Sequence, residues 1–196
     1  LGDDIVFGGD EADTLSGGAG NDRLFGGNGN DVVNGGTGND LVVGDGGDDL
    51  LDGQAGNDTT LGGAGADTIL GGIDIDFLDG QGSTLDTIIL NGTAVADTFT
   101  ISPFGFFARL VKTSDTTFIA NIRNSELIQL NTLGGNDTVT TGDISALGSA
   151  QLIVDLGTGD DSLDLTNSSN SQLSLVATGG SGSDTIIGGG GGDTID

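Results

Sequence analysis

Apolar residues in the first eighty positions recur with a period of nine. Val6, Leu15, Leu24, Val33, Val42, Leu51, Ile69 and Leu78 stand on that period, and Thr60 is the polar member of the series. Framed from Gly8, the chain reads GGDEADTLS, GGAGNDRLF, GGNGNDVVN, GGTGNDLVV, GDGGDDLLD, GQAGNDTTL, GGAGADTIL and GGIDIDFLD, ending at Asp79. Leu1 to Phe7 is the tail of one more nonad. Position 1 is always Gly and position 6 always Asp. The pattern predicts a very short strand over positions 7 to 9, with position 8 facing inward. It predicts a turn over positions 1 to 6, where glycine permits positive φ and close backbone approach. Self-similarity at a fixed period predicts a solenoid. Two nonads make one coil, so residue i stacks on residue i+18 at about 4.8 Å.

The register slips at GQGSTLDTIIL (Gly80 to Leu90) and returns once as GTAVADTFT (Gly92 to Thr100). Ile101 to Leu133 is different in kind. It carries Arg109, Lys112 and Arg123, and Phe104, Phe106, Phe107 and Phe118 follow Phe99. Alternation in FTIS, ARLV, TFIANI and LIQL predicts strands, as longer β-coils or a hairpin elaboration. Its aromatics and bases read either as core and solvated surface or as a contact face for an acidic partner. From Gly134 the Gly-Asp pattern returns at wider spacing, in GGNDTVT, GTGDDSLDL and GGSGSDTII. Second strands are expected at Leu152 to Leu156 and Leu173 to Ala177, with TNSSNSQ (Thr166 to Gln172) as a loop. No span shows a 3.6 period, and glycine interrupts each helical candidate. The expected fold is therefore all-β, a parallel β-roll or β-solenoid with longer irregular coils in its second half. Its organisation is a regular roll over 1–90, a Phe- and base-containing insertion or wider coils over 91–133, and wider coils over 134–196, in one continuous solenoid.

Charge changes the picture. The chain has 30 Asp and Glu against 4 Lys and Arg, for a net charge of −26, and only Glu11 and Glu126 are glutamates. This charge argues against nucleic acid and anionic membranes as partners. No apolar run is long enough to insert in a membrane as a helix. There is no Cys or His, hence no thiolate or imidazole metal ligand and no Ser-His triad. The 40 glycines without Gly-X-Y spacing, and the single Pro103, are not collagen.

Aspartate favours turns without any metal, but stacking creates a harder problem. It aligns Asp4, Asp22, Asp40, Asp58 and Asp76 in one column and Asp13, Asp31, Asp49 and Asp67 in another. Like charges at strand spacing repel by several kcal/mol per pair at low dielectric. A divalent cation between turns reverses the sign. Oxygen-only donors, carboxylate plus main-chain carbonyl, select Ca²⁺ over Zn²⁺ or Cu²⁺, and Mg²⁺ prefers to keep its waters. Residues 1–79 hold 17 acids and one base, Arg23, for a net charge of −16. Pairing nine aspartates i to i+18 gives seven sites, and seven calcium ions leave about −2.

These nonads closely resemble the RTX family of calcium-binding β-roll repeats, consensus GGxGxDxUx, across residues 1–79 and more loosely to the end. The resemblance implies a Ca²⁺ between turns, held by positions 2, 4 and 6 of one turn and positions 1, 3 and 6 of the turn two nonads on. Gly18, Gly20 and Asp22 would thus share an ion with Gly35, Thr37 and Asp40. Gly27, Gly29 and Asp31 would share one with Gly44, Gly46 and Asp49. The same carry-over takes in Gly17, Gly26, Gly53, Gly62 and Gly71 at position 1, and Gly9, Gly36 and Gly63 at position 2. It takes in Ala19, Asn28, Ala55 and Ala64 at position 3, and Gly2, Glu11, Gly38, Gly47, Gly56 and Gly65 at position 4. Later candidates are Asp86, Asp137, Asp161, Gly180, Gly182, Asp184 and Asp193. Departures at Glu11, Asp45, Gln54, Gln81 and Ile73-Asp74 are expected to weaken individual sites.

The expected function is a non-catalytic extracellular module that folds on calcium, in a surface layer, adhesin stalk or self-assembling filament. The alternative is the C-terminal secretion and folding module of a secreted enzyme or toxin. The resemblance implies bacterial type I secretion. The chain opens at Leu1 within a repeat, lacks Met and stops at Asp196, a nonad's last position. The expectation is a piece of a longer secreted chain, or a unit stacking end to end on other copies. Ice binding would need a regular Thr/Asn ladder, which position 3 (Leu1, Asp10, Ala19, Asn28, Thr37, Gly46, Ala55, Ala64, Ile73) does not supply.

Overall fold

A computed structural model describes residues 1–72, 74–82, 85–104, 107–113, 119–142, 144, 150–168 and 172–196. Ile73, Phe106, Phe118, Ser83-Thr84 of the slipped register and Ser169 to Ser171 of the TNSSNSQ loop lie outside the described residues. The described residues form strands and turns and no helix, a parallel β-roll built as two compact units. Leu1–Ile89 with Ile122–Ser125 make the first, and Leu90–Asn121 with Glu126–Asp196 the second.

The first unit holds β1 (Ile5–Asp10), β2 (Thr14–Ala19), β3 (Arg23–Asn28), β4 (Val32–Thr37), β5 (Leu41–Gly46), β6 (Leu50–Ala55), β7 (Thr59–Ala64), β8 (Thr68–Gly71) and β9 (Ile75–Gln81). It also holds most of β10 (Thr87–Asn91). Consecutive strands alternate between two sheets, in the orders β1-β3-β5-β7-β9 and β2-β4-β6-β8. Every pair is parallel with an 18-residue offset, as in Val6↔Leu24, Leu24↔Val42 and Leu15↔Val33. Position 8 faces inward: Leu24, Val33, Val42, Leu51 and Ile69 are fully buried, and Thr60 takes its place in the same row.

The strands are longer than positions 7 to 9. They run on through positions 1 to 3, and the turn shrinks to positions 4 to 6. The glycine pair that reads as turn is instead sheet with a kink. Pairing goes from Phe7↔Phe25 to Gly9↔Gly27 and passes over position 1, while positions 2 and 4 are left-handed. Gly36 has φ 121°, and a Cβ there would strike the Gly18 carbonyl one coil away. The non-glycine residues at these positions, Glu11, Asp45, Gln54, Asp74 and Gln81, also have positive φ, Gln54 at 71°. The coil geometry thus overrides the residue's own preference, at a cost of about 1–2 kcal/mol each.

The second unit comprises β11 (Thr98–Phe104), β12 (Phe107–Lys112), β13 (Ile119–Arg123, its last two residues in the first unit), β14 (Leu127–Asn131), β15 (Thr138–Thr141), β16 (Gln151–Asp155), β17 (Ser162–Asp164), β18 (Ser174–Thr178), β19 (Thr185–Ile187) and β20 (Thr194–Ile195). Parallel ladders run β11-β15-β17-β19 and β14-β16-β18-β20. The offsets are wider, with Val139↔Leu163 and Leu163↔Ile186, and return to 18 at Val176↔Thr194. The expected hairpin is present: β12 pairs antiparallel with β11, Ile101 opposite Leu110. Phe99, Leu110, Ile128, Leu130, Val139, Leu152 and Leu175 are buried inside this unit.

Replacing the strained Gln54 by glycine relieves the left-handed penalty and adds about 0.5–1 kcal/mol of chain entropy cost. Gln54→Gly should therefore raise stability by up to about 1 kcal/mol, and Gly36→Ala should lower it by about 2 kcal/mol or more. Denaturant titration at saturating calcium measures both. Equal stabilities for the two variants would contradict the backbone account.

Candidate metal centre

Shortening the turn to three residues directs the position 6 carboxylates inward. Asp22, Asp31, Asp40, Asp49, Asp58 and Asp67 are buried, Asp22 at 1% exposure. One carboxylate oxygen serves the fold. The Asp4 amide donates to Asp22 Oδ1 at 2.7 Å, Asp22 to Asp40 at 2.8 Å, Asp40 to Asp58 at 2.8 Å and Asp58 to Asp76 at 3.1 Å. The second column runs Asp13 to Asp31 at 2.8 Å, Asp31 to Asp49 at 2.8 Å and Asp49 to Asp67 at 3.0 Å. It continues across the slipped register, Asp67 to Asp86 at 3.0 Å.

The other oxygen is left over. Oδ2 of Asp13, Asp22, Asp31, Asp40, Asp49, Asp58 and Asp67 is buried without a hydrogen-bond donor. A buried ionised oxygen in that condition is strongly unfavourable unless a cation completes it. The kink at position 1 places a main-chain oxygen beside it. A Cβ built on Gly35 would lie 2.6 Å from Asp40 Oδ2 and 2.8 Å from the Gly53 carbonyl oxygen. Gly17, Gly26, Gly44 and Gly62 show the same cradle, so position 1 admits only glycine. Among the described residues no three acidic side chains converge. The donors are single carboxylate oxygens interleaved with carbonyls, a hard-oxygen set that fits Ca²⁺.

The structure brings Asp22 and Gly35 to one cradle, and likewise Asp31 with Gly44 and Asp40 with Gly53. Position 3 carbonyls of Ala19, Thr37, Gly46, Ala55 and Ala64 each accept the amide of a position 4 residue, as Gly20 N to Thr37 O at 3.0 Å. The main-chain carbonyl of Glu11 faces Gly29 of the next coil. Asp4 lies exposed. In the second unit Asp137 donates its amide to Asp161 Oδ1 at 2.7 Å and Asp161 to Asp184 Oδ1 at 3.0 Å. Oδ2 of Asp137 and of Asp161 is buried without a donor. A Cβ on Gly179 or Gly188 would meet Oδ2 of Asp184 or Asp193, while Gly180 and Gly182 are left-handed.

Two features escape the sequence reading. Position 5 forms a ladder of opposite direction: Asn39 N donates to Asn21 Oδ1 at 2.8 Å, and Asn57 N to Asn39 Oδ1 at 2.9 Å. The repeated GND triplet was the available signal. Asp97, position 6 of the returning nonad GTAVADTFT, heads the second unit's column through its amide to Asp137 Oδ1 at 2.7 Å. Nor are all the bases solvated. Lys112 is buried beside Asp97, and Arg123 pairs with the fully buried Asp79, which also accepts from Asn124 Nδ2 at 2.8 Å.

Burial, above all, raises the carboxyls of Asp49 and Asp58 to about 6 and that of Asp76 to about 7. The amide bonded to each Oδ1 opposes the rise, and neighbouring carboxylates add to it. Asp40, Asp67 and Asp161 shift up for the same first reason.

Against known families, the chain matches the RTX calcium-binding nonapeptide repeat (four copies) over residues 1–33, 25–60, 44–78, 61–83 and 176–196. These stretches together exceed half of the chain. A search of curated proteins gave no match. Repeats of this family are non-catalytic modules that bind calcium.

The raised carboxyls set a sign. The folded chain holds protons that the unfolded chain has released, so their stabilisation is complete below about pH 3.8 and is lost as pH rises through about 6 to 7. In chelator, the β signal in circular dichroism should therefore appear near about pH 4.5 and vanish by about pH 8. With calcium the order inverts, because protons compete for the same oxygens, and the calcium midpoint should rise as pH falls below about 7. A metal-free spectrum constant across this range would contradict the electrostatic account.

Proposed function

Because the chain belongs to the family of RTX calcium-binding nonapeptide repeats, we propose that it is an extracellular structural module that folds when it meets calcium. It serves as a stiff element of a surface layer, an adhesin stalk or a self-assembling filament. The observation that carries this reading is the row of buried Asp Oδ2 atoms without donors, those of Asp22, Asp31, Asp40, Asp49 and Asp67 beside a position 1 carbonyl. Calcium supplies a hard divalent charge to those oxygens, and the named aspartates and glycine carbonyls hold it. About seven ions or more are taken up, one between stacked turns of each column.

The compartment follows from affinity. Extracellular calcium modules bind at ~10⁻⁴ to 10⁻³ M, far above cytosolic calcium. A chain of net charge −26 stays open under such conditions through self-repulsion. Type I secretion, general for this family, suits a chain that travels unfolded and closes outside. The partners proposed are further strands continuing the roll, from other copies end to end or from flanking chain. In the alternative reading the same folding chemistry serves a secreted enzyme or toxin.

The test is circular dichroism through a calcium titration, read beside light scattering. At about pH 8, coil in chelator and β structure at about millimolar calcium are expected. Coil at every calcium level would sink the module. Scattering that rises with folding is expected of a filament, and folding at constant scattering would leave the module without self-assembly.

A further inference from the structure

The Asp97 turn departs from its fellows at both oxygens. At Asp22, Asp31, Asp40, Asp49, Asp58 and Asp67, Oδ1 accepts an amide from the aspartate one coil earlier and Oδ2 is buried without a donor. At Asp97, Oδ1 lies 3.0 Å from Nζ of Lys112. Oδ2 accepts from the Thr93 amide at 2.7 Å and from the Thr93 hydroxyl at 3.0 Å. The cradle itself is unchanged: a Cβ on Gly92 would lie 2.8 Å from the Thr132 carbonyl oxygen and 2.9 Å from Asp97 Oδ2. What differs is the occupant chemistry. The side chains of Lys112 and Asp97 are 8% and 1% exposed, so this is a buried ion pair.

The hairpin delivers the ammonium. Lys112 ends β12 directly opposite Phe99 of β11, and the Thr113 amide donates to the Thr98 carbonyl at 2.7 Å, locking that register. Antiparallel pairing brings residue 112 back to the turn that precedes β11. Lys112 is the chain's one lysine.

We propose that the Asp97 turn takes no calcium, and that the Lys112 ammonium is its permanent cation. The inference rests on the calcium reading of the other turns. A divalent ion placed beside a buried ammonium would be repelled. Displacing Lys112 would leave that charge buried and unpaired, which is strongly unfavourable. The second unit's aspartate column therefore starts from an end that is neutralised before calcium arrives, and its later turns, at Asp137 and Asp161, add to an electrostatically settled first member.

Native mass spectrometry of the full chain at saturating calcium counts the bound ions. Asp22→Asn should bind fewer ions than the unaltered chain, and Asp97→Asn the same number. If Asp22→Asn keeps the full count, the calcium reading of the columns fails. If Asp22→Asn loses ions and Asp97→Asn does too, only the present inference is overturned. Should Asp97→Asn not fold, the double variant Asp97→Asn/Lys112→Met, which leaves no charge unpaired, is counted instead with the same expectation. Hydrogen exchange supplies the second readout. Lys112→Met alone should speed exchange in β11 and β12 by about tenfold or more, with β3 to β7 unchanged, and the double variant should recover part of that loss. Unchanged exchange in Lys112→Met, or strictly additive losses in the double variant, would overturn the ion pair's role.

Discussion

A buried carboxylate oxygen with nothing to bind is the constraint on which this fold turns. The amide ladder uses one oxygen of each position 6 aspartate and leaves the other in the interior. The coil cannot rotate that oxygen out to water, because its partner oxygen is fixed by the amide of the preceding turn. Closing the roll and supplying positive charge are thus one event. Metal binding and folding share a free energy in such systems, and here the reason is visible atom by atom.

The hydrophobic contribution is correspondingly thin. Most nonads of the first unit bury one apolar side chain, at position 8, and a glycine stands at position 1. Nine residues ordered around a single aliphatic side chain are a poor exchange by burial alone. Glycine at position 1 does not serve packing. It keeps the cradle open, since any Cβ would fill the space between the aspartate and the facing carbonyl. Apolar volume is given up to make room for an ion.

The period of nine made most of this legible. It placed the position 8 core, the 18-residue stacking and both aspartate columns, because each follows from identical residues at identical spacing. Three things did not follow. The strands extend through the glycine pair, since sheet pairing around a kinked position 1 depends on the coil above and not on local preference. The left-handed backbone at Gln54 and Glu11 is imposed by the coil and not by the residue. The Lys112–Asp97 pair joins residues 15 positions apart through an antiparallel register that no repeat encodes. Asp97 itself stood in a recognisable nonad, and only its partner was hidden.

The interior acids meet positive charge from three sources, and the choice among them orders the molecule. Protons satisfy them at low pH, where burial has lifted the carboxyls toward neutrality. Calcium is suited to those flanked by carbonyls alone. Protein cations satisfy the two at which the regular repeat is interrupted, Arg123 at Asp79 and Lys112 at Asp97. Both bases come from the one segment without Gly-Asp turns. At Asp79 and Asp97, which precede that segment in the chain, a covalently attached cation supplies the charge. The loss of periodicity beyond residue 80 is then the same electrostatic requirement, met by a different donor.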